Sequence, residues 1–109
     1  MILDLKNISE TAIHNFKGGD GTAYARMYAD GKNKIMLCRL TPGSSIGLHT
    51  HETSSEILYI LEGTAKVVYD GTEEIVQAGQ THYCPKGHQH ATYCEGEKDL
   101  LMFAVVPEQ

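Results

Sequence analysis

Short runs of β-branched and aromatic residues, each closed by a glycine corner, constrain this chain more than any other feature. The runs predict strands over Ala23–Ala29, Lys34–Thr41, Gly47–Thr50, Glu56–Leu61, Ala65–Tyr69, Glu73–Val76, His82–Cys84, His90–Tyr93 and Leu100–Val105. Asp30-Gly31 and Asp70-Gly71 fall between such runs and supply the positive-φ geometry of a tight hairpin. Glu62-Gly63 and Ala78-Gly79 read as further corners. Many short strands with almost no helix imply an all-β sandwich or barrel. Ile57-Leu58-Tyr59-Ile60-Leu61 is apolar on both faces, so one face must line an interior and the other must meet a second sheet or a second subunit. One turn of helix is expected from Asn7 to Ala12, where Asn7 and Glu10 have capping-box spacing. Gly18-Gly19-Asp20-Gly21 reads as a flexible loop, with no lysine and helix behind it to hold a phosphate.

A chain of 109 residues has room for one core, so residues 1–109 are expected to form a single domain. A formal net charge of -5 without a basic cluster argues against nucleic-acid and anionic-membrane partners. No apolar run is long enough to span a bilayer, and the first residues lack a signal peptide's apolar stretch. Cys38, Cys84 and Cys94 are odd in number and show no close zinc spacing, which fits free thiols in a reducing compartment. A cytoplasmic location is expected.

The chemistry concentrates in four residues. His49 and His51 flank Thr50, and side chains two apart on a strand point the same way. Paired neutral imidazoles are poor core packing and a good start on a metal shell. Glu56 has the opposite parity and can join them only if the chain turns at Thr53-Ser54-Ser55. His90 follows the turn Pro85-Lys86-Gly87-His88. Three imidazoles and one carboxylate suit Mn, Fe, Co, Ni, Cu or Zn better than Ca or Mg. The plainer reading of His49 and His51 is a polar surface strand, and it loses weight with Glu56 and His90 in register.

In these residues the chain resembles the cupin family. The first cupin motif reads Gly43, five residues, His49-Thr50-His51, four residues, Glu56, six residues, Gly63. The second reads Gly79, five residues, Pro85-Lys86-Gly87, two residues, His90, three residues, and then Cys94 where the family pattern has asparagine. The motifs span 43–63 and 79–94, about half of the chain. The resemblance implies a double-stranded β-helix, or jelly-roll, barrel with one divalent transition metal held by His49, His51, Glu56 and His90. It also implies a homodimer, with the N-terminal segment 1–22 a candidate to pack on the partner subunit. Cys94 lies outside the ligand set and shares strand parity with His90 and Thr92, so it is expected near the pocket wall.

Other candidates carry less. Tyr59 and Tyr83 are strand-forming aromatics that could serve as a general acid if they face the pocket. Arg26 is a candidate clamp for a substrate carboxylate, whereas Arg39 reads as an outward-snorkelling side chain. His88 reads as rim-lining or exposed, and His82 and His14 as structural or surface histidines. Glu52 reads as solvated, Met27, Met36 and Met102 as core filler, and Cys84 or Cys94 as a nucleophile only beside a positive neighbour. The function expected from the resemblance is a metal-dependent enzyme, an isomerase or epimerase, a lyase or a dioxygenase, acting on a small sugar-like or carboxylate molecule. The alternative is a binding or sensor module that holds such a molecule without turning it over.

Overall fold

A computed structural model describes all residues, 1–109. Its ten strands are β1 (Thr11–His14), β2 (Thr22–Ala29), β3 (Asn33–Leu40), β4 (Ser45–Thr50), β5 (Glu56–Glu62), β6 (Thr64–Tyr69), β7 (Thr72–Gln77), β8 (Thr81–Cys84), β9 (Gln89–Glu95) and β10 (Leu100–Pro107). They form a six-stranded sheet in the order β1-β2-β3-β10-β5-β8 and a four-stranded sheet in the order β4-β9-β6-β7. Every strand pairing is antiparallel, and the two sheets face each other as a jelly-roll barrel.

The corners behave as their residues dictate. Asp70 and Gly71 both take positive φ (48° and 83°) in a two-residue turn between paired Tyr69 and Thr72. Asp30-Gly31 differs from the tight turn expected. The Asp30 carboxylate accepts the backbone N–H groups of Lys32 and Asn33, so a wider turn forms and Gly31 does not take positive φ. The expected helix over Asn7–Ala12 is also absent. A single 3-10 turn covers Leu5–Asn7, and Thr11–His14 is strand β1, paired with β2. Glu10 is drawn into an ion pair with Arg39, at 3.0 Å, instead of reaching back to cap Asn7.

Alternation sorts the larger sheet into two faces. Met36, Cys38 and Leu40 of β3, Leu58 and Ile60 of β5, and Met102 and Ala104 of β10 point inward and are buried. The outward residues form rows across the strands. Tyr83, Ile57, Val105, Ile35 and Tyr28 are successive register partners, and Tyr59, Phe103 and Leu37 make a parallel row beside them. Ile57, Tyr59 and Tyr83 are exposed. The doubly apolar run Ile57–Leu61 thus divides as the sequence requires, one face lining the interior and the other left outside.

The segment before β2 is fixed in place rather than flexible. The Ser45 N–H donates to the Asp20 carbonyl at 2.8 Å, and the Asp20 N–H donates to Ser45 Oγ at 2.9 Å. Phe16 to Gly19 crosses β4 so closely that a Cβ on Gly47 would overlap the Lys17 carbonyl oxygen. Arg26 donates to the Lys6 and Ile8 carbonyls and holds the N-terminal residues along β2. Gly47→Ala is therefore expected to destabilise the fold by about 1–3 kcal/mol, because backbone must give way to the new methyl. A urea midpoint shift below a few tenths of this range would show that the crossing is looser than described.

Candidate metal centre

The strand register brings the four motif residues to one wall. His49 on β4 is the register partner of His90 on β9. Between Ile46 and His49 the β4–β9 register shifts. Ile46 and His49 are an odd number of residues apart, yet both line the same cavity, so the irregularity re-aims the strand. His51 follows β4 and exchanges backbone hydrogen bonds with the second motif. Its N–H donates to the His88 carbonyl at 3.0 Å, and the Gly87 N–H donates to its carbonyl at 2.7 Å. The chain then turns through Ser54 and Ser55, where the Ser55 N–H donates to the Pro107 carbonyl and Ser54 bridges Glu108. This turn reverses parity, as Glu56 requires, and sets its carboxylate among the imidazoles.

The ligating atoms converge. One Glu56 oxygen lies 2.9 Å from His90 Nε2, 3.2 Å from His51 Nε2 and 3.9 Å from His49 Nε2. His51 Nε2 and His90 Nε2 are 3.0 Å apart, and one ligand atom from each of the four residues lies within 4.8 Å of all the others. An ion about 2.1 Å from two donors at right angles would set them about 3.0 Å apart, so the 2.9, 3.0 and 3.2 Å separations among Glu56, His51 and His90 suit neighbouring ligands, and His49, 3.9 Å from the Glu56 oxygen, stands farther off. The ring orientations agree. The His49 Nδ1–H donates to the Gly47 carbonyl at 2.7 Å, which leaves Nε2 as a bare acceptor. His51 Nδ1 is 3.1 Å from Ser54 Oγ, and His90 Nδ1 is 3.0 Å from His82 Nε2. Where the outer nitrogen carries the ring hydrogen, as at His49, the inner nitrogen presents a lone pair to its neighbours and to a carboxylate. A cation relieves that opposition. The buried His49/His51/Glu56/His90 group could therefore hold a metal ion.

Electrostatics set the protonation states. Burial raises the Glu56 carboxyl; without an ion between the groups, hydrogen bonds from the His51 and His90 inner nitrogens in their protonated form outweigh it and hold the carboxyl at about 2. Burial lowers His49 below the ordinary histidine range, against an opposing push from its bond to Gly47, so its imidazole is neutral and ready to ligate at neutral pH.

The wall opens on a cavity of about 210 Å³. Its other lining is mostly apolar and includes Phe16, Ala25, Met36, Leu58 and Met102. Thr92 supplies a hydroxyl, and Lys17 and Lys34 are the cationic side chains among the lining residues. Cys38 also lines it, but burial, followed by the Glu56 charge, pushes its thiol up to about 12. A thiol so raised is no nucleophile at neutral pH.

The remaining candidates lie elsewhere. Tyr59, Tyr83 and Arg26 sit on the outer face of the larger sheet, and none lines the cavity. Cys94 does not reach the pocket wall expected of it. It packs in the hydrophobic cluster, its thiol donating to the Lys98 carbonyl at 3.1 Å. Arg39 points outward over the Tyr24 ring and pairs with Glu10 and Asp99. His88 is at the rim with Asp70 and Tyr69, and His14 is exposed beside Thr22. His82 is buried directly behind His90, a place that its inward parity with Cys84 on β8 allows but does not specify.

The fold and this site define a class, and comparison with known proteins agrees. A family model described as "Cupin domain" matches residues 36–106, more than half of the chain. The chain belongs to the cupin family. An "Oxalate-binding protein" of Thermotoga maritima is 33% identical over 112 residues, covering 97% of this chain and 93% of the relative. A solved Thermotoga maritima structure, described as a predicted oxalate decarboxylase, superposes with a TM-score of 0.93 at 30% identity over 100% of both chains. The Schizosaccharomyces pombe Cnp3 cupin domain shares the fold at 9% identity, with a TM-score of 0.82 over 100% of this chain and 74% of that one.

The lowered histidines and Glu56 make acid destabilising. His49 and His82 have folded values below the ordinary 6.5, so the unfolded chain takes up protons first as pH falls. Their contribution is intact above that value and is lost on acidification through it. Glu56, at about 2 against an ordinary 4.5, adds a second loss between those limits. In chelator-treated protein the urea midpoint is expected to drop from about pH 7.5 to about pH 5.5 and again below about pH 4.5. A midpoint that rises on acidification would contradict this assignment.

Proposed function

We propose that this cupin is a metal-dependent enzyme that acts on a small carboxylate, with His49, His51, Glu56 and His90 as the ligands of one divalent transition ion. The observation that carries this reading is the convergence of three imidazole nitrogens and one carboxylate beside a mostly apolar cavity, which His49, His51 and Glu56 line. Such an ion, when bound, supplies Lewis acidity to a ligand oxygen. The protein's share is to place four donors and leave the cavity side open for a chelating group.

The wall narrows the chemistry. A sugar needs several hydrogen-bonding partners, and Thr92 is the hydroxyl the cavity offers. A carboxylate needs the ion and a cation near the mouth, a part open to Lys17 or Lys34. Isomerases and epimerases need positioned acid and base groups. Beyond His49, His51 and Glu56 the lining holds no carboxylate, imidazole or tyrosine, and its thiol is raised to about 12. Lyase or dioxygenase chemistry at the ion needs less from the wall. The Thermotoga relatives, an oxalate-binding protein and a predicted oxalate decarboxylase by name, point to the same ligand class. The same poverty of acid–base groups favours the second reading, a module that binds a carboxylate without converting it.

Elemental analysis of protein purified without added metal or chelator is expected to find about one transition-metal ion per chain. Glu56→Ala is expected to lose it, and equal metal in variant and parent would defeat the ligand assignment. Oxalate is expected to raise the melting temperature of the metal-loaded protein and a neutral sugar to leave it unchanged. Oxalate that stabilises and is recovered intact, with no oxygen consumed, would favour binding alone.

We also propose that the protein is a homodimer in the cytoplasm. The apolar rows on the outer face of the larger sheet suit a second copy of the same face, since a two-fold contact pairs a surface with itself. The buried cysteines are free thiols, as a reducing compartment allows. No helix is long and apolar enough to cross a membrane. Light scattering is expected to give twice the 12.0 kDa chain mass, and Phe103→Asp, at the centre of the rows, to give the monomer. A monomeric parent at micromolar concentration would overturn the dimer.

A further inference from the structure

One ligand is backed differently from the others. The outer nitrogen of His49 meets a backbone carbonyl, and that of His51 meets a serine hydroxyl that can donate or accept. The outer nitrogen of His90 meets a second histidine, and that histidine meets a carboxylate. His82 Nε2 is 3.0 Å from His90 Nδ1, and His82 Nδ1 is 3.0 Å from Glu74 Oε1. The two rings are nearly parallel, with centroids 5.2 Å apart, and Tyr69 meets the His82 ring edge-on at 5.5 Å. His82 and His90 are 3% and 1% exposed, so water does not compete for the bond between them, whereas the Glu74 side chain is 42% exposed. Glu74 is on β7, at the edge of one sheet, and His82 is on β8, at the edge of the other. The contact therefore crosses the seam of the barrel.

The proton positions follow in order. An ionised carboxylate only accepts, so His82 Nδ1 must carry the hydrogen. A neutral imidazole then has a bare Nε2, which can only accept. His90 Nδ1 must donate to it, and His90 Nε2 is left as a lone pair facing Glu56, His51 and His49. We propose that Glu74 and His82 act as a positioning relay for His90, holding that ring in the one tautomer and orientation that can ligate an ion. The relay rests on the metal reading above and adds two residues outside the ligand set. A carboxylate behind a ligand histidine increases that ligand's electron donation as well as fixing its ring.

A merely structural role, closing the seam between β7 and β8, would make the same residues matter for stability alone. The test separates the two with cobalt(II) as the probe. Metal-free parent, His82→Phe, His82→Gln and Glu74→Gln would be titrated with cobalt against a competing chelator, with the visible absorption of the bound ion recorded. Phenylalanine fills the space and offers no acceptor, whereas the glutamine amide oxygen can accept from His90 Nδ1. His82→Phe is expected to bind cobalt about 10- to 100-fold more weakly, with shifted bands. His82→Gln is expected to recover most of the affinity, and Glu74→Gln to show a smaller loss in the same direction. Cobalt affinity and bands unchanged in His82→Phe, or equal losses in Phe and Gln, would overturn the relay. Nitrogen-15 chemical shifts of the metal-free parent supply a measurement that needs no variant to fold. They are expected to show His82 and His90 each protonated at Nδ1, and a proton on His82 Nε2 would overturn the proposal. A parent that takes up no cobalt would overturn the metal reading and the relay together, an outcome visible before any variant is compared.

Discussion

Three imidazole lone pairs and a carboxylate held at about contact distance inside an apolar barrel are the constraint around which this molecule is arranged. Such groups are costly to bury and repel or compete unless something binds between them. Each is fixed from outside by a separate device. Gly47 holds His49 through its carbonyl, Ser54 lies at His51, His82 backs His90, and the 51–55 turn delivers Glu56. Those devices come from both motifs and from the C-terminal Pro107 and Glu108. The centre therefore joins distant parts of the sequence, and loosening any one of them should be felt at the others.

Much of this was legible in the sequence because β-strand parity is strict. His49 and His51 had to share a face, and Glu56 had to be turned onto it by a break in the strand, which Ser54 and Ser55 supply. The same parity already places Tyr59 outside once Glu56 is inside, since they are an odd number of residues apart on β5. Tyr83 is likewise opposed to His82 and Cys84, and Arg26 to Ala25. What parity could not supply is anything set by the meeting of the two sheets. The Glu74–His82 contact is set that way, across two edge strands, and parity is equally silent on the irregularity where β4 pairs β9 and on the turn that brings the Lys98 carbonyl to the Cys94 thiol. The helix expected near Asn7 failed for a related reason. A local capping pattern lost Glu10 to Arg39, which lies across the sheet.

The chain divides its polar chemistry from its apolar surface with little overlap. Inside, the buried polar groups gather at the four-residue cluster, and most of the remaining lining is methionine, leucine, isoleucine and alanine, with Lys17 and Lys34 as its cations. Outside, the larger sheet carries aromatic and aliphatic rows flanked by Arg26 and Arg39. Those arginines serve the fold, one capping N-terminal carbonyls and the other pairing with Glu10 and Asp99. Assigning them to structure leaves Lys17 and Lys34 as the cationic side chains of the cavity.

That shortage of groups has a consequence for charge. Glu56 is the one anionic donor among the four, so with a divalent ion the centre carries a net charge of about +1. A monoanionic carboxylate would bring it to neutrality, the state an apolar cavity tolerates best. A dianion such as oxalate would leave about -1 among methionine and leucine side chains, a state that requires help from Lys17 or Lys34 at the mouth. The balance favours ligands that offer one carboxylate and one uncharged oxygen to the ion. The 2-oxo and 2-hydroxy acids have that pattern, and the apolar lining would receive whatever hydrocarbon they carry.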